Sequence, residues 1–342
     1  MSNKLISQLH HVELFSAKPD ETVRFFKDIL GLQESARDGT SVYLRAWGEW
    51  FHHSLKVTEG PGPGLGHAAW RTDGPDELDE AAKLIRESGL EGRWTDGDVG
   101  HGRAFEFWLP GGHLAELVWD SARYVAPPEL KSSYPNRPQR QVTQGAPVRR
   151  IDHLTTASAT MMEDISTFRD VLGFRFMEGT LGPNDSLFFA TLTSGPQNHD
   201  FAIVTERPGD PSVKPGRMNH VCYYYDTRED LLRALDVLSE YGYKLEAGPL
   251  KHGIGELFFA YVFEPGGTMV ELQTGGYWNF MPDWETVYWP KGGIDGANTA
   301  WHVNQFGVFG MSPTPAGIER LPDSSAPTQQ FTAQDREAQL VG

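Results

Sequence analysis

The chain has one cysteine, Cys222, among 342 residues. This excludes an intramolecular disulfide, a thiolate metal cage and a CxxC redox pair, and it implies a reducing compartment. No apolar run approaches the roughly 20 residues of a membrane span, and the N-terminus lacks the basic segment followed by an apolar stretch that a signal peptide requires. Positive charge is scarce: 30 Lys and Arg against 46 Asp and Glu leave a formal charge of −16. No Lys/Arg cluster is present to meet nucleic acid or anionic lipid. The expectation is a cytoplasmic protein without nucleic-acid or membrane partners that takes a small neutral ligand, on a chain long enough for two ordinary domains.

What is present is a duplication. The segment from His11 through Phe26-Lys27-Asp28-Ile29-Leu30-Gly31-Leu32 is echoed from His153 through Phe168-Arg169-Asp170-Val171-Leu172-Gly173-Phe174, at an offset of 142 (153 − 11). Gly66-His67 and the run Asp76 to Gly89 recur as Asn219-His220 and Glu229 to Gly242, at an offset of 153 (220 − 67). Leu109-Pro110-Gly111-Gly112-His113-Leu114-Ala115-Glu116-Leu117 recurs as Glu264-Pro265-Gly266-Gly267-Thr268-Met269-Val270-Glu271-Leu272, at an offset of 155 (271 − 116). Three blocks in the same order identify an internal repeat. Apolar residues at helical spacing, as in Val23/Phe26/Leu30 and Leu231/Leu235/Leu238, end at Gly. Short strands are predicted at Ser41 to Trp47, Ala104 to Leu109, Leu187 to Leu192 and Phe258 to Phe263. Each half therefore reads as two βαβββ modules, an α+β fold in two tandem domains, with Pro127 to Gly145 as the linker.

Two histidines and one glutamate recur at equivalent positions and stand out chemically. His153, His220 and Glu271 each lie among apolar residues on a predicted strand. A lone histidine in such a place is more often a hydrogen-bonded core residue than a ligand. A carboxylate between Val270 and Leu272 is different, because burial without a cationic partner is severely unfavourable, and no Arg or Lys is near it in sequence. Two imidazoles and a carboxylate form the facial triad that leaves three positions of an iron(II) ion open, enough for two catechol oxygens and dioxygen.

His252-Gly253, Tyr261, Pro265-Gly266-Gly267 and Glu271 follow in order, supported by Val42-Tyr43-Leu44-Arg45-Ala46-Trp47, Asn198-His199-Asp200-Phe201-Ala202, Arg217-Met218-Asn219-His220-Val221 and Gly275-Gly276-Tyr277-Trp278-Asn279-Phe280. In these motifs, over roughly residues 8 to 310, the chain resembles the type I extradiol dioxygenases of the vicinal oxygen chelate superfamily, and within them the catechol 2,3-dioxygenases. The resemblance implies iron(II) at His153, His220 and Glu271, with manganese(II) accepted by the same triad. It implies catalytic roles for His199, Tyr261 and His252: His199 as a proton shuttle with a pKa near working pH, Tyr261 as a hydrogen-bond partner of the catecholate, His252 as a pocket or gating residue. The implied partners are a catecholic substrate and O2, the product is a 2-hydroxymuconic semialdehyde-type compound of aromatic catabolism, and the assembly is a homotetramer. Read without the resemblance, His199 fits a turn residue, His252 a solvent-facing loop residue and Tyr261 ordinary strand packing.

The expected organisation is an N-terminal vicinal oxygen chelate domain over 1–125 without metal, a linker over 126–148, a catalytic domain over 149–290, and a lid segment with a partly disordered tail over 291–342. Two positions depart from the family pattern: Asn219 stands where relatives often carry histidine, and Glu264 where aspartate is usual. The first half keeps His11, His67 and Glu116, read as a relic because no counterpart of His199 and Tyr261 is evident. Aromatic residues Phe188, Phe189 and Trp301, with His302, are expected at the pocket. No arginine falls inside a matched motif, which favours an uncharged catechol unless Arg217 reaches the pocket. The Tyr277 to Trp289 run suits either a subunit interface or packing around the site. Two alternatives share the fold: a glyoxalase-like metal-dependent isomerase or lyase, which needs a fourth protein ligand, and a metal-free aromatic-ligand binding protein.

Overall fold

Four βαβββ modules follow one another in the computed structural model, which describes residues 4–206 and 214–289. The first holds β1 (Ile6–Ser16), α1 (Pro19–Arg24), β2 (Gln33–Asp38), β3 (Ser41–Arg45) and β4 (Leu55–Glu59). The second holds β5 (Gly64–Thr72), α2 (Pro75–Glu87), β6 (Gly92–Thr95), β7 (Ala104–Trp108) and β8 (Leu114–Val118). The third holds β9 (Arg150–Ser158), α3 (Met161–Ser166), β10 (Arg175–Leu181), β11 (Leu187–Thr193) and β12 (Phe201–Thr205). The fourth holds β13 (Arg217–Tyr224), α4 (Arg228–Glu240), β14 (Leu245–Lys251), β15 (Leu257–Phe263) and β16 (Met269–Gly275), and β17 (Val287–Trp289) follows it.

Each half makes one sheet, in the orders β2-β3-β4-β1-β5-β8-β7-β6 and β14-β15-β16-β13-β9-β12-β11-β10-β17. The two modules of a half join through their first strands, β1 with β5 and β9 with β13, both antiparallel, and parallel partners flank each pair. These central strands are buried almost throughout, as strands covered on both faces should be. No helix among the described residues is long and apolar enough to cross a membrane.

The periodicity of Val23/Phe26/Leu30 suggests a plain α-helix, but α1 continues as a π-helical turn, Phe25–Ile29, and α3 likewise as Thr167–Val171. The wider turn brings Phe25, Phe26, Ile29 and Leu30 all into the core. There they bind the halves together: Phe25 meets Tyr243 edge-on at 5.1 Å and Phe26 lies 5.9 Å from Tyr223. In the mirrored arrangement Trp70 meets Phe168 at 4.9 Å and Phe201 at 5.5 Å. One hydrophobic core therefore spans both halves.

The Pro-Gly-Gly turns are reciprocal locks. Gly111 N donates to Asp164 Oδ1 at 2.8 Å, and His113 Nε2 donates to the Arg217 carbonyl at 2.7 Å. In the other direction Glu264 accepts from Thr22 Oγ1 at 2.6 Å while also receiving Gly266 N and Thr268 N, each at 2.7 Å. A Cβ on Gly266 would come 2.4 Å from Ser16 Oγ, and one on Gly111 2.5 Å from Ser158 Oγ, so the first glycine of each turn is required by the close approach of the other half. The second glycine, Gly112 or Gly267, has φ of +86° or +103°, which disfavours a side chain. The Glu264 departure thus lengthens a carboxylate enough to reach the opposite half.

The segment joining the halves packs at its end: Ala146 and Val148 are buried and donate from N to Ile29 O and Leu30 O at 2.8 and 3.0 Å. Beyond β16, Tyr277 Oη donates to Glu178 Oε1 at 2.8 Å and Trp289 Nε1 to Glu178 Oε2 at 2.7 Å, while Trp278, Phe280 and Tyr288 are exposed. Trp301, His302 and the expected lid and tail lie outside the described residues.

Burial holds the Glu264 carboxyl above its usual range although Thr22, Thr268 and Gly266 donate to it. A raised folded-state pKa means that this group's stability contribution is complete below the ordinary value of 4.5 and is lost as pH rises through the folded value. Glu264→Gln loses about one hydrogen bond, worth about 1 kcal/mol, but does not titrate. In urea denaturation from acid to neutral pH, the wild-type advantage over Glu264→Gln is expected to narrow as pH rises; an advantage that widens would contradict this.

Candidate metal centre

Three adjacent strands of the second sheet carry the candidate ligands: His153 on β9, His220 on β13 and Glu271 on β16. Val221 pairs with Val270 and Cys222 with Glu271 between β13 and β16, which sets Glu271 beside the strand that bears His220. A register shift between Met218 and His220 kinks β13 against β9 at this point, as bulges do where a side chain must be re-aimed. All three side chains are buried.

Their inward atoms form a nearly equilateral triangle. His153 Nε2 and His220 Nε2 are 3.1 Å apart, and they lie 3.1 and 3.0 Å from Glu271 Oε2. An octahedral ion about 2.1 Å from each donor sets neighbouring ligand atoms about 3.0 Å apart, so the triangle has the dimensions of one face of that octahedron. Glu271 Oε1 is buried and lacks a hydrogen-bond partner among the described residues.

The outer nitrogens fix the tautomers. His153 Nδ1 donates to Asp152 Oδ2 at 3.1 Å and His220 Nδ1 to Asn219 Oδ1 at 2.6 Å, which leaves each Nε2 lone pair facing the triangle, the arrangement metal-ligating histidines adopt. Asp152 is itself held by Arg150 and by the Gln273 amide. The Asn219 departure supplies a neutral acceptor that orients His220.

The charges show what the site demands. Although burial opposes it, His220 and the hydrogen bonds from His153 and His220 hold the Glu271 carboxyl far below its usual range. Asp152 is also lowered against burial, chiefly by Arg150 and His153. Between these two carboxylates His153 rises to about 9, again against burial. The cluster draws a positive charge inward, and a divalent cation satisfies that demand with the imidazoles neutral. Cys222 remains a thiol, pushed up by burial and by Glu271.

His199 is buried with its ring 4.2 Å from that of His153, and its Nδ1 has no hydrogen-bond partner among the described residues. Its pKa is not near working pH as the sequence suggested; burial and then His153 hold it well below its ordinary value, so it is a neutral base. His252 is not a solvent-facing loop residue: it is buried, stacks on Phe259 at 3.6 Å, and places Nε2 3.3 Å from Tyr261 Oη and 3.6 Å from Glu271 Oε1. Tyr261 faces Glu271 across β15 and β16, and burial and then Glu271 keep its hydroxyl protonated.

Sequence reasoning missed Asp152, Gln273 and Phe259 as supports, although an Asp or Asn before each ligand histidine was a visible signal. Arg217 does not stand as an unpaired cation: it is buried and paired with Glu206 at 2.9 Å. Phe188 is exposed on β11 and Phe189 pairs with Val204, while Phe259 and Tyr261 are the aromatic neighbours of His252. A cavity of about 360 Å³ between the halves is lined by residues including His10, Glu49, Asp152, Gln197 and Trp278, and by no triad member. The convergent ligand atoms lie at the triangle instead.

The model of the Glyoxalase/Bleomycin resistance protein/Dioxygenase superfamily matches residues 8–117 and 150–272. A metapyrocatechase of Geobacillus stearothermophilus is 37% identical over 297 residues, 86% of this chain and 89% of the relative. A manganese-dependent 2,3-dihydroxybiphenyl 1,2-dioxygenase of Geobacillus genomosp. 3 is 36% identical over 290 residues, 84% of this chain and 90% of the relative. The crystal structure of a 2,3-dioxygenase from Pseudomonas sp. KL28 superposes with a TM-score of 0.77 at 26% identity, covering 84% of this chain and 98% of that one. Matched in both halves by the family model, and along most of its length by these relatives, the chain belongs to the glyoxalase/bleomycin resistance protein/dioxygenase superfamily.

Proposed function

We propose that this protein opens the ring of a catechol by extradiol cleavage with dioxygen at a non-haem iron(II) centre held by His153, His220 and Glu271, giving a 2-hydroxymuconic semialdehyde-type product. The observation that carries the reading is the triangle of ligand atoms 3.0–3.1 Å on a side, with both outer imidazole nitrogens engaged. The relatives named as metapyrocatechase and 2,3-dihydroxybiphenyl 1,2-dioxygenase support the substrate class. An ion held by these residues would supply Lewis acidity and electron exchange.

The chain's own groups handle protons and orientation. His199, uncharged beside His153, accepts the proton of the second catechol hydroxyl and returns it later in the cycle. Tyr261 stays protonated and donates a hydrogen bond to a catecholate oxygen. His252, clamped flat on Phe259, positions the Tyr261 hydroxyl. Burial of the whole cluster keeps water from the reacting centre. The Arg217–Glu206 pair supports an uncharged catechol as substrate. Manganese(II) suits the same donors, since ligand type separates it little from iron, and one relative is named for it. Homotetramer assembly belongs to the same reading, with exposed Trp278, Phe280 and Tyr288 as interface surface.

Oxygen uptake and the near-ultraviolet/visible absorbance of a yellow semialdehyde with catechol test the proposal. Glu271→Ala is expected to abolish both; catechol turnover at wild-type rate in this variant would refute the triad. His199→Asn is expected to keep the triad metal and lose about 10²–10⁴ in kcat, the usual worth of a general acid–base group. An unchanged kcat would remove His199 from the proton path.

A further inference from the structure

The first half retains more than a relic. Val12 pairs with Leu55 between β1 and β4 as Leu154 pairs with Phe201 between β9 and β12, so His53 occupies the position of His199. Its ring lies 4.7 Å from that of His11, matching the contact of His199 with His153 at 4.2 Å. This corrects the expectation that no His199 counterpart exists. Likewise His101-Gly102 stands where His252-Gly253 does, and His101 Nε2 is 3.7 Å from Glu116 Oε1 as His252 Nε2 is 3.6 Å from Glu271 Oε1. The Tyr261 position is the exception, because Glu106 faces Glu116 there and is bound by Arg93 at 2.8 Å.

Without a hydroxyl in that place, His101 Nε2 and Glu116 Oε1 are buried and have no hydrogen-bond partner among the described residues, and neither has His53 Nε2. A buried polar atom left without a partner is unfavourable. The neighbouring groups do not relieve them. A hydrogen-bonded chain of imidazoles runs from Ser121 Oγ to His10 (2.7 Å), to His11 (2.7 Å), to His67 (2.8 Å), whose Nδ1 donates to Glu13 at 2.9 Å. That chain is complete in itself.

We propose that the first half binds a second divalent transition-metal ion, of the zinc type, at His11, His101 and Glu116. His11, His101 and Glu116 each bring one ligand atom within 4.8 Å of the others. The separations of 3.7 Å (His101 to Glu116) and 3.8 Å (His11 to Glu116) lie close to the ~3.4 Å expected between tetrahedral donors ~2.05 Å from zinc. Two imidazoles and one carboxylate suit zinc better than calcium or magnesium, which take oxygen ligands. Drawn from β1, β8 and the loop before β7, the ligands tie the two modules of the first half together.

The test uses full-length protein stripped by chelator, reloaded with zinc(II), desalted and counted by elemental analysis. Wild type is expected to hold about two ions, Glu271→Ala about one, and Glu116→Ala and His101→Ala about one each, given one ion per site. Zinc is also expected to raise the melting temperature of Glu271→Ala but not of Glu271→Ala/His101→Ala. Wild type holding one ion, lost in Glu271→Ala, would overturn the inference, as would folded Glu116→Ala and His101→Ala retaining the wild-type count. One ion kept in Glu271→Ala and lost in His101→Ala would support it while refuting the triad in the second half. The comparison of wild type with Glu271→Ala decides even if the Glu116 variant fails to fold.

Discussion

A buried carboxylate must be balanced by positive charge, and Glu271 imposes that condition on the second half. It sits in a strand of apolar neighbours, Val270 and Leu272, both fully buried, where an uncompensated charge is unfavourable by several kcal/mol. Much around it follows as compensation. Two imidazoles converge on one oxygen, Asp152 and Asn219 turn those imidazoles, and Arg150 and Gln273 hold Asp152. With only protons available, His153 takes up the charge, at about 9. A divalent ion held by the three residues would meet the same demand with the imidazoles as neutral donors.

The frame that supplies these positions is used twice, and the halves stabilise each other. Each Pro-Gly-Gly turn inserts its first glycine against a serine of the opposite half, and each first module contributes aromatic rings to a shared core. Divergence between the halves is confined to a few side chains. Tyr261 gives the second half a hydroxyl within reach of His252; Glu106, at the same register, points its carboxylate to Arg93 instead. That difference leaves His101 without the hydroxyl that Tyr261 sets beside His252.

Much of this was legible in the sequence because it rests on repetition. Gly stops, strand alternation and the recurring His, His and Glu positions located the modules and the triangle. The π-helical turns were hidden, since three- and four-residue spacing does not reveal a five-residue turn. The Asp and Asn before the ligand histidines were visible in the sequence, but not that their side chains would bond the imidazole Nδ1 atoms. His53 escaped notice because loops of unequal length change the offset from 142 to 146 (199 − 53), and only the paired registers of β1–β4 and β9–β12 restore the match. Ala146 and Val148 were concealed by the Pro-, Gln- and Arg-rich stretch before them, which reads as linker up to the point where it enters the core.

Diffraction at the iron absorption edge, on crystals of iron(II)-loaded protein grown without oxygen, addresses the central claim most directly. An anomalous peak about 2.1 Å from His153 Nε2, His220 Nε2 and a Glu271 oxygen, the distance of a three-ligand divalent site, is the predicted result. Iron-loaded crystals with no peak inside that triangle would contradict the account.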